Sequence, residues 1–187
     1  MYDQETNSLW SHLLGEAMSG KLKGTRLTQI PSVMTDWASF RDAHPLATVV
    51  MLRRTSQEFT NQIYRPRKRY VLGIAHGNEA KSWNFENLEK SGVVHDQWVQ
   101  RPIVIMFDRP SVTPRMYRAE LDGRRLSFAL ERRADVTGIF IDQQTKSIWN
   151  PVSGLATAGP LKGKFLQPLP AIVSFDSAWK TFHPQRQ

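Results

Sequence analysis

The amino-acid sequence contains an internal repeat, and this repeat constrains the fold more than any other feature. Residues 3–45, the first repeat, align without a gap onto residues 142–184, the second repeat, and 15 of the 43 aligned residues are identical. The identical residues of the first repeat are Asp3, Gln4, Thr6, Ser8, Trp10, Gly15, Ala17, Gly20, Leu22, Lys23, Gly24, Leu27, Pro31, His44 and Pro45. Two copies at so long a period favour a pseudo-symmetric pair of modules over a solenoid.

The two repeats differ in what precedes them. Residues 102–141, before the second repeat, have β-strand patterns, whereas two residues precede Asp3. The sequence therefore predicts an incomplete first module, whose apolar side chains need cover from elsewhere. Residues 49–52 and 70–75 are one candidate cover, and an N-terminal segment outside this sequence is the other. We favour the N-terminal segment, because duplicated modules normally keep their own set of strands.

A hairpin is the clearest local structure in the sequence. The dipeptide Asp122-Gly123 joins the segments 116–121 and 124–130, and it favours a type I′ turn, in which both central residues have positive φ. Such a turn fixes the register of the two strands and the face on which each side chain lies. The expected pairs are Leu121 with Arg124, Ala119 with Leu126, Tyr117 with Phe128, and Glu120 with Arg125. One face of the hairpin is then largely apolar, and the other face, which carries Arg118, Glu120, Arg125 and Ser127, is exposed to water.

Other short segments complete a prediction that is mostly β. Apolar runs predict strands at 70–75, 103–107 and 136–141, and 103–107 is typical of a strand buried on both faces. Capping residues, apolar spacing and stop signals predict short helices at 35–43, 85–90 and 174–182.

The predicted fold class is therefore mostly β (α+β), with two pseudo-symmetric β-rich modules, short helices and an incomplete first module. Its expected parts are a partial first module at 1–52, a basic linker at 53–69 and a second module at 70–187.

Composition excludes several classes of protein. With 40% hydrophobic and 22% charged residues, the chain has the composition of a soluble globular protein. No apolar run approaches the about 18 residues that a membrane helix needs, so no membrane span is predicted. The absence of cysteine excludes disulfides, thiolate metal ligands and cysteine nucleophiles. No metal or cofactor is expected, because no histidine or carboxylate motif has metal-ligand spacing.

The formal net charge of +8 comes mainly from one basic stretch, residues 53–69. Its anion-binding candidates are Arg65, Arg67, Lys68 and Arg69, and Arg53 and Arg54 add to its charge. Interleaved aromatic residues are a pattern that single-stranded nucleic-acid binders use for base stacking. A solvated linker between modules explains the same pattern without a ligand, and we favour it.

Six polar residues are the other site candidates, namely Asp3, His44, His95, Asp96, Asp142 and His183. Asp3 and Asp142 are interpreted as turn residues whose carboxylates accept backbone N–H groups, with metal ligand or general base as the alternative. His44 and His183 precede proline at helix ends, where an imidazole can donate to the last free carbonyls. His95-Asp96 has the residue types for acid–base work, but neighbours on a strand point to opposite faces, and a surface turn is the favoured interpretation.

Several motifs in order along nearly the whole chain resemble the domain-of-unknown-function family 3179. They are Asp-x-x-Thr-x-Ser-x-Trp, Gly-x-Ala-x-x-Gly-Pro-Leu-x-Gly-x-x-Leu, a short helix ending in His-Pro, Val71-Leu72-Gly73-Ile74, Glu79-Ala80-Lys81 and Leu88-Glu89-Lys90-x-x-Val93-Val94-x-Asp96. The first repeat departs from the pattern at Lys21, where Pro160 stands in the second. The resemblance implies an upstream Cys-Pro-x-Cys segment in complete members, which nothing here matches, and an extracytoplasmic location.

These features predict a non-enzymatic binding or structural module built by internal duplication. One alternative is part of an enzyme or metal-handling protein whose reactive residues lie in an N-terminal segment. The other is a basic nucleic-acid-binding module. A cleft with converging Asp or His would favour the first alternative, and a continuous surface of Arg and Lys would favour the second.

Overall fold

The computed structural model describes residues 1–50, 64–133 and 136–184. Its strands are β1 Tyr2–Asp3, β2 Ser8–Ser11, β3 Glu16–Ser19, β4 Tyr70–His76, β5 Glu79–Asn84, β6 Val93–Trp98, β7 Arg101–Asp108, β8 Thr113–Arg118, β9 Glu120–Leu121, β10 Arg124–Arg125, β11 Phe128–Arg133, β12 Val136–Asp142, β13 Ile148–Trp149, β14 Ala156–Ala158 and β15 Ile172–Phe175. Its helices are α1 Trp37–Ala43, α2 Phe85–Ser91 and α3 Asp176–Phe182, with a 3-10 helix at Arg67–Arg69. The prediction of a mostly β fold with a few short helices is confirmed.

The strands pair in small antiparallel sheets. Their orders are β1-β2-β3, β15-β4-β5, β6-β7-β8, β9-β10 and β11-β12-β13-β14. No helix in the described part of the chain is long and apolar enough to cross a membrane.

Strand β7 lies in the middle of its sheet and separates two hydrophobic cores. Val104 and Met106 point into one core, which surrounds Trp149. Ile105 and Phe107, on the opposite face, point into the other, which surrounds Phe85 of α2. The predicted burial of this segment on both faces is confirmed, because a strand alternates its side chains between its two faces.

The predicted hairpin forms with the predicted turn. Asp122 and Gly123 have φ values of 50° and 76°, Leu121 pairs with Arg124, and Glu120 pairs with Arg125. The segment 116–121 is not one continuous strand, however. Arg118 ends β8, which pairs with β7, and the next residue donates its backbone N–H to Pro102 O rather than continuing the strand.

Strand β11, which follows the hairpin, pairs with a different strand from the predicted one. Phe128 pairs with Asp142 of β12, not with Tyr117, although both aromatic rings lie in the Trp149 core.

The predicted helices form, but α1 and α3 each begin two residues later than predicted. Helix α2 ends at Gly92, whose φ is 75°, and α1 is capped by Asp36, whose carboxylate accepts the Ser39 N–H at 2.9 Å. Helix α3 begins at Asp176 rather than at residue 174, because the preceding residues form β15 and pair with β4.

The two repeats form the same local structure from matching residues. Helices α1 and α3 occupy aligned positions. Trp10 pairs with Ala17 in β2–β3 as Trp149 pairs with Ala156 in β13–β14, with a register shift at the same place in each pair. The aligned glycines of both repeats have positive φ. The aligned sequences therefore specify the same turns and hairpin.

Burial distinguishes the two repeats. The alignment predicts equivalent buried positions for Trp10 and Trp149. Trp149 is 2% exposed, but Trp10 is only half-buried, so the prediction is wrong for Trp10. Leu166 is 1% exposed and its counterpart Leu27 is 54% exposed. The second repeat is covered by β7, β8, β11 and β12. Among the described residues, no corresponding strands cover the first repeat.

Residues 49–52 and 70–75, the candidate cover from within the sequence, do not cover the first repeat where the structure describes them. Val49 and Val50 are themselves exposed, and residues 51 and 52 lie outside the described part. Strand β4 pairs with β15 of the second repeat and with β5. It is therefore engaged on both edges.

Two aligned glycines offer a test of this difference in cover. A Cβ on Gly154 would lie 2.6 Å from the buried Tyr117 ring, whereas one on Gly15 would lie 3.4 Å from the Gln29 side chain. Both glycines have positive φ, so alanine strains the two backbones alike. We expect Gly154→Ala to lower the free energy of unfolding by about 1–3 kcal/mol more than Gly15→Ala, because it also overpacks the core. Urea denaturation measures both losses, and equal losses would contradict the expectation.

Candidate functional site

The candidate site is a groove of about 1390 Å³ in the described part of the chain. Most of its lining comes from four segments: the first repeat at 13–29, the β4–β5 hairpin at 74–81, the β6–β7 turn at 97–101, and the end of α3 at 182–184. Arg118, Leu169 and Pro170 complete it. We call it the inter-repeat groove, since both repeats contribute to its walls.

Two arginines on one wall of the groove have no partner among the residues that the structure describes. Arg118 of β8 lies opposite Ile103 of β7, so Arg101, two residues before Ile103, lies diagonally beside Arg118 on the same face of the sheet. Arg118 is half-buried and Arg101 is exposed. Neither guanidinium makes a hydrogen bond or ion pair with any described residue. Two unneutralised cations side by side attract an anion.

The other cations of the groove are already neutralised. Arg26 lies 2.9 Å from the Glu16 carboxylate, in an exposed pair. Lys81 donates to Asp96 at 2.6 Å. The positive charge available to a ligand is therefore concentrated at Arg101 and Arg118.

His183 lies at the groove, at the end of α3. Its ring packs on Trp179 at 4.3 Å, and its Nε2 is buried without a hydrogen-bond partner among the described residues. Burial lowers the pKa of His183, and a backbone contact with Leu13 opposes this.

The predicted role of the two repeat histidines at helix ends is wrong. The backbone N–H of His183, not its imidazole, donates to Trp179 O at 2.8 Å. His44 does the same with Phe40 O at 2.9 Å, and its ring packs on Phe40. The imidazoles instead pack on the aromatic side chain one turn earlier.

His95 and Asp96 lie in strand β6, so the interpretation as a surface turn is wrong. Their side chains have separate partners, as expected for neighbours on a strand. His95 Nε2 accepts the Phe128 N–H at 2.8 Å, and partial burial followed by the charge of Arg125 lowers the pKa of His95. Asp96 accepts from Trp83 Nε1 at 2.8 Å as well as from Lys81. These contacts separate the two groups, so they do not form an acid–base pair.

Asp142 and Asp3 organise the turns that begin the aligned hairpins. The buried Asp142 carboxylate accepts from the Thr145 N–H, the Thr145 and Trp149 side chains and the Ser147 N–H. Burial alone would raise the pKa of Asp142, but these donors lower it. Asp3 accepts from the Glu5 N–H and from the Thr6 hydroxyl. Both contact sets fit the turn interpretation.

The basic stretch is partly built into the fold where the structure describes it. Arg67 lies 3.1 Å from the Glu89 carboxylate and over the Phe85 ring, and Arg69 lies over the Phe175 ring. The expectation that Arg67 stays solvated is wrong. Arg65 and Lys68 are exposed. The remaining residues of the stretch, including Arg53 and Arg54, lie outside the described residues.

Sequence reasoning missed the groove because its walls come from segments far apart in the chain. The only available signal was the placement of Arg118 on the wet face of the hairpin. Within residues 1–50, 64–133 and 136–184, no three His, Asp or Glu side chains converge to hold a metal ion.

Comparisons with known proteins give one family and no further relatives. No curated protein and no solved structure matches the chain. The model of a protein family of unknown function, DUF3179, matches residues 1–66 and residues 56–186. These two matches together span nearly every residue, and the chain therefore belongs to the DUF3179 family.

Proposed function

We propose that this chain is a non-enzymatic binding module built by internal duplication, and that its ligand lies in the inter-repeat groove. The observation that carries the proposal is the pair Arg101 and Arg118, unpartnered among the described residues, on the wall of a large groove. The duplication is supported by the aligned residues and by the matching hairpins.

The two guanidinium groups on the groove wall favour an anionic ligand. A guanidinium group binds carboxylate or phosphate oxygens through two parallel N–H donors, and this geometry discriminates such groups from other anions. The groove exceeds the about 300–1,000 Å³ of ordinary small-molecule pockets. An extended ligand with carboxylate or phosphate groups therefore fits best.

Titrating the chain with citrate and with tripolyphosphate tests the groove. We expect Arg118→Gln to weaken binding about tenfold or more, because a hydrogen bond to a charged group contributes about 1.5–3 kcal/mol. Binding should also weaken as salt rises. Calorimetry measures the affinity, and the thermal midpoint of each variant verifies that it remains folded.

Arg124→Gln is the matched control, because Arg124 is an exposed arginine of β10 outside the groove. Equal losses of affinity in the two variants would show that the ligand responds only to the net charge of the chain. This result would contradict binding in the groove. A single-stranded oligonucleotide serves as the probe for nucleic acid. Oligonucleotide binding lost with Arg65→Gln and Lys68→Gln, but kept with Arg118→Gln, would favour the nucleic-acid alternative.

A further inference from the structure

The two arginines of the inter-repeat groove are bordered by apolar side chains on both sides. Trp98 of β6 lies directly opposite Arg101, so the indole and the guanidinium stand on the same face of the sheet. On the far side of β8, the Leu169 N–H donates to Met116 O at 2.9 Å, which holds Leu169 alongside the strand of Arg118. Trp98 and Leu169 both line the groove and pack against one of the two hydrophobic cores. The two charges therefore lie within an apolar wall.

Val99 adds apolar surface at the turn between β6 and β7. It lines the groove and is 49% exposed. Its φ of 48° lies in the left-handed region, which is strained for a β-branched residue and which a two-residue turn usually fills with Asn, Asp or Gly. Val112 also has a positive φ, of 53°, but its side chain packs against a hydrophobic core. Val99 packs in neither core of the described part of the chain, so its strained conformation points to a contact with a ligand.

Apolar surface extends to other walls of the groove. Phe182, at the end of α3, is 40% exposed, and Ile74 and Pro170 also line the groove. Arg26 and Lys81 already have carboxylate partners. A ligand with many charged groups would place some of them against apolar walls without a partner, which is costly. One anionic group on an apolar body avoids this cost.

We propose that the ligand of the inter-repeat groove is an amphipathic anion, with one carboxylate or phosphate group at Arg101 and Arg118 and an alkyl chain against the apolar wall. This inference rests on the proposed function and adds the part of the ligand that arginine does not recognise. Opposite residues of an antiparallel pair lie about 4.5–5.5 Å apart at Cβ, so the apolar part begins next to the anionic group. Because the apolar side chains come from separate segments, a flexible chain can contact more of them than a compact ring can.

Calorimetric titration of the full chain with butanoate, hexanoate and octanoate tests the inference, with each probe kept below its critical micelle concentration. We expect the affinity to rise up to about fourfold for each added CH₂ group, and at least about tenfold from butanoate to octanoate. Arg118→Gln should weaken octanoate binding about tenfold, because the head group loses a charged hydrogen-bond donor. Butyl and octyl phosphate form a second series, and the inference requires the chain-length effect in at least one series.

Val99→Asn removes the apolar side chain from the groove and keeps the turn, because asparagine tolerates a positive φ. We expect its octanoate affinity to fall several-fold, its citrate affinity to stay unchanged, and its thermal midpoint to be equal to or above that of the wild type. Val33→Asn is the matched control, since Val33 is 41% exposed and does not line the groove. This control should change neither affinity.

The possible results separate this inference from the proposed function. Citrate binding that depends on Arg118, without a chain-length effect in either series, would overturn the inference and leave the proposed function standing. Anion binding that does not depend on Arg118 would overturn both. Equal effects of the two valine variants on octanoate binding would place the alkyl chain elsewhere and overturn the inference. Dimerisation of the chain that Val99→Asn abolishes would also overturn it, because a second copy would then cover the apolar wall.

Discussion

Replacing Trp149 with alanine is expected to lower the free energy of unfolding by about 3–5 kcal/mol, the usual cost of removing a large aromatic side chain from a core. Trp149 is 2% exposed and packs edge-on against Phe128, with ring centroids 5.8 Å apart. Its Nε1–H donates to Asp142 at 3.0 Å. The variant therefore creates a cavity and also removes a donor from a buried carboxylate. Urea denaturation of the full chain measures the loss.

Trp10→Ala is the matched control within the same molecule. Trp10 occupies the aligned position, pairs with Ala17 in the same way, and remains half-buried. Its removal therefore leaves a smaller cavity and should cost less. A loss from Trp10→Ala as large as that from Trp149→Ala would mean that the first repeat is covered in solution.

Local signals allowed the elements to be predicted from the sequence. The turn at Asp122-Gly123 forms because both residues tolerate positive φ, and the helix at 85–91 ends at Gly92 for the same reason. The strand at 101–108 was found because side chains buried on both faces leave an unbroken apolar run. In each case the signal lies within a few residues of the structure that it specifies.

The features that were predicted wrongly from the sequence depend on pairing with other segments of the chain. Helix α3 starts late because residues 172–175 pair with β4, about a hundred positions earlier. Phe128 also pairs with a strand other than the predicted one, namely with Asp142 of β12 instead of Tyr117. Pairing across the chain overrides local propensity when it buries more apolar surface.

The candidate site was the least predictable part for the same physical reason. Arg101 and Arg118 come together through the pairing of β7 with β8, and the groove in front of them needs both repeats. The polar residues that the sequence singled out are instead held by neighbouring donors, as Asp96 and Asp142 show. A motif in one stretch of sequence therefore indicated a turn rather than a site.

The repeat itself shows that aligned residues specify a turn but not its surroundings. Leu27 and Leu166 are identical and occupy the same hairpin context, yet only Leu166 is buried. Burial depends on strands that come from outside the repeated block. The largest difference between the two repeats is therefore expected in their response to core substitutions, not in their local geometry.

Asp142→Asn is expected to cost about 3 kcal/mol at neutral pH, because each buried donor left without an acceptor costs about 1–3 kcal/mol. The two carboxylate oxygens of Asp142 accept from donors on both sides, the Thr145 N–H at 2.6 Å and the Ser147 N–H and Trp149 Nε1–H at 3.0 Å. An amide has one acceptor oxygen, so its NH₂ group must face a donor whichever way it is turned. Urea denaturation at pH 7 measures this loss.

The pH dependence gives the same prediction a second readout. Burial opposes ionisation of Asp142, but the surrounding donors outweigh it and hold its pKa below the ordinary value of 3.8. A carboxyl whose pKa is lower in the folded state stabilises the fold above its unfolded pKa, and that stabilisation is lost as pH falls through the folded pKa. The stability difference between the wild type and Asp142→Asn should therefore narrow when the denaturation is repeated at progressively lower pH below 3.8. A difference that stayed constant throughout this acid range would show that ionised Asp142 does not stabilise the turn. Asp3→Asn should give a smaller loss, because the aligned carboxylate is partly exposed and its Trp10 is only half-buried.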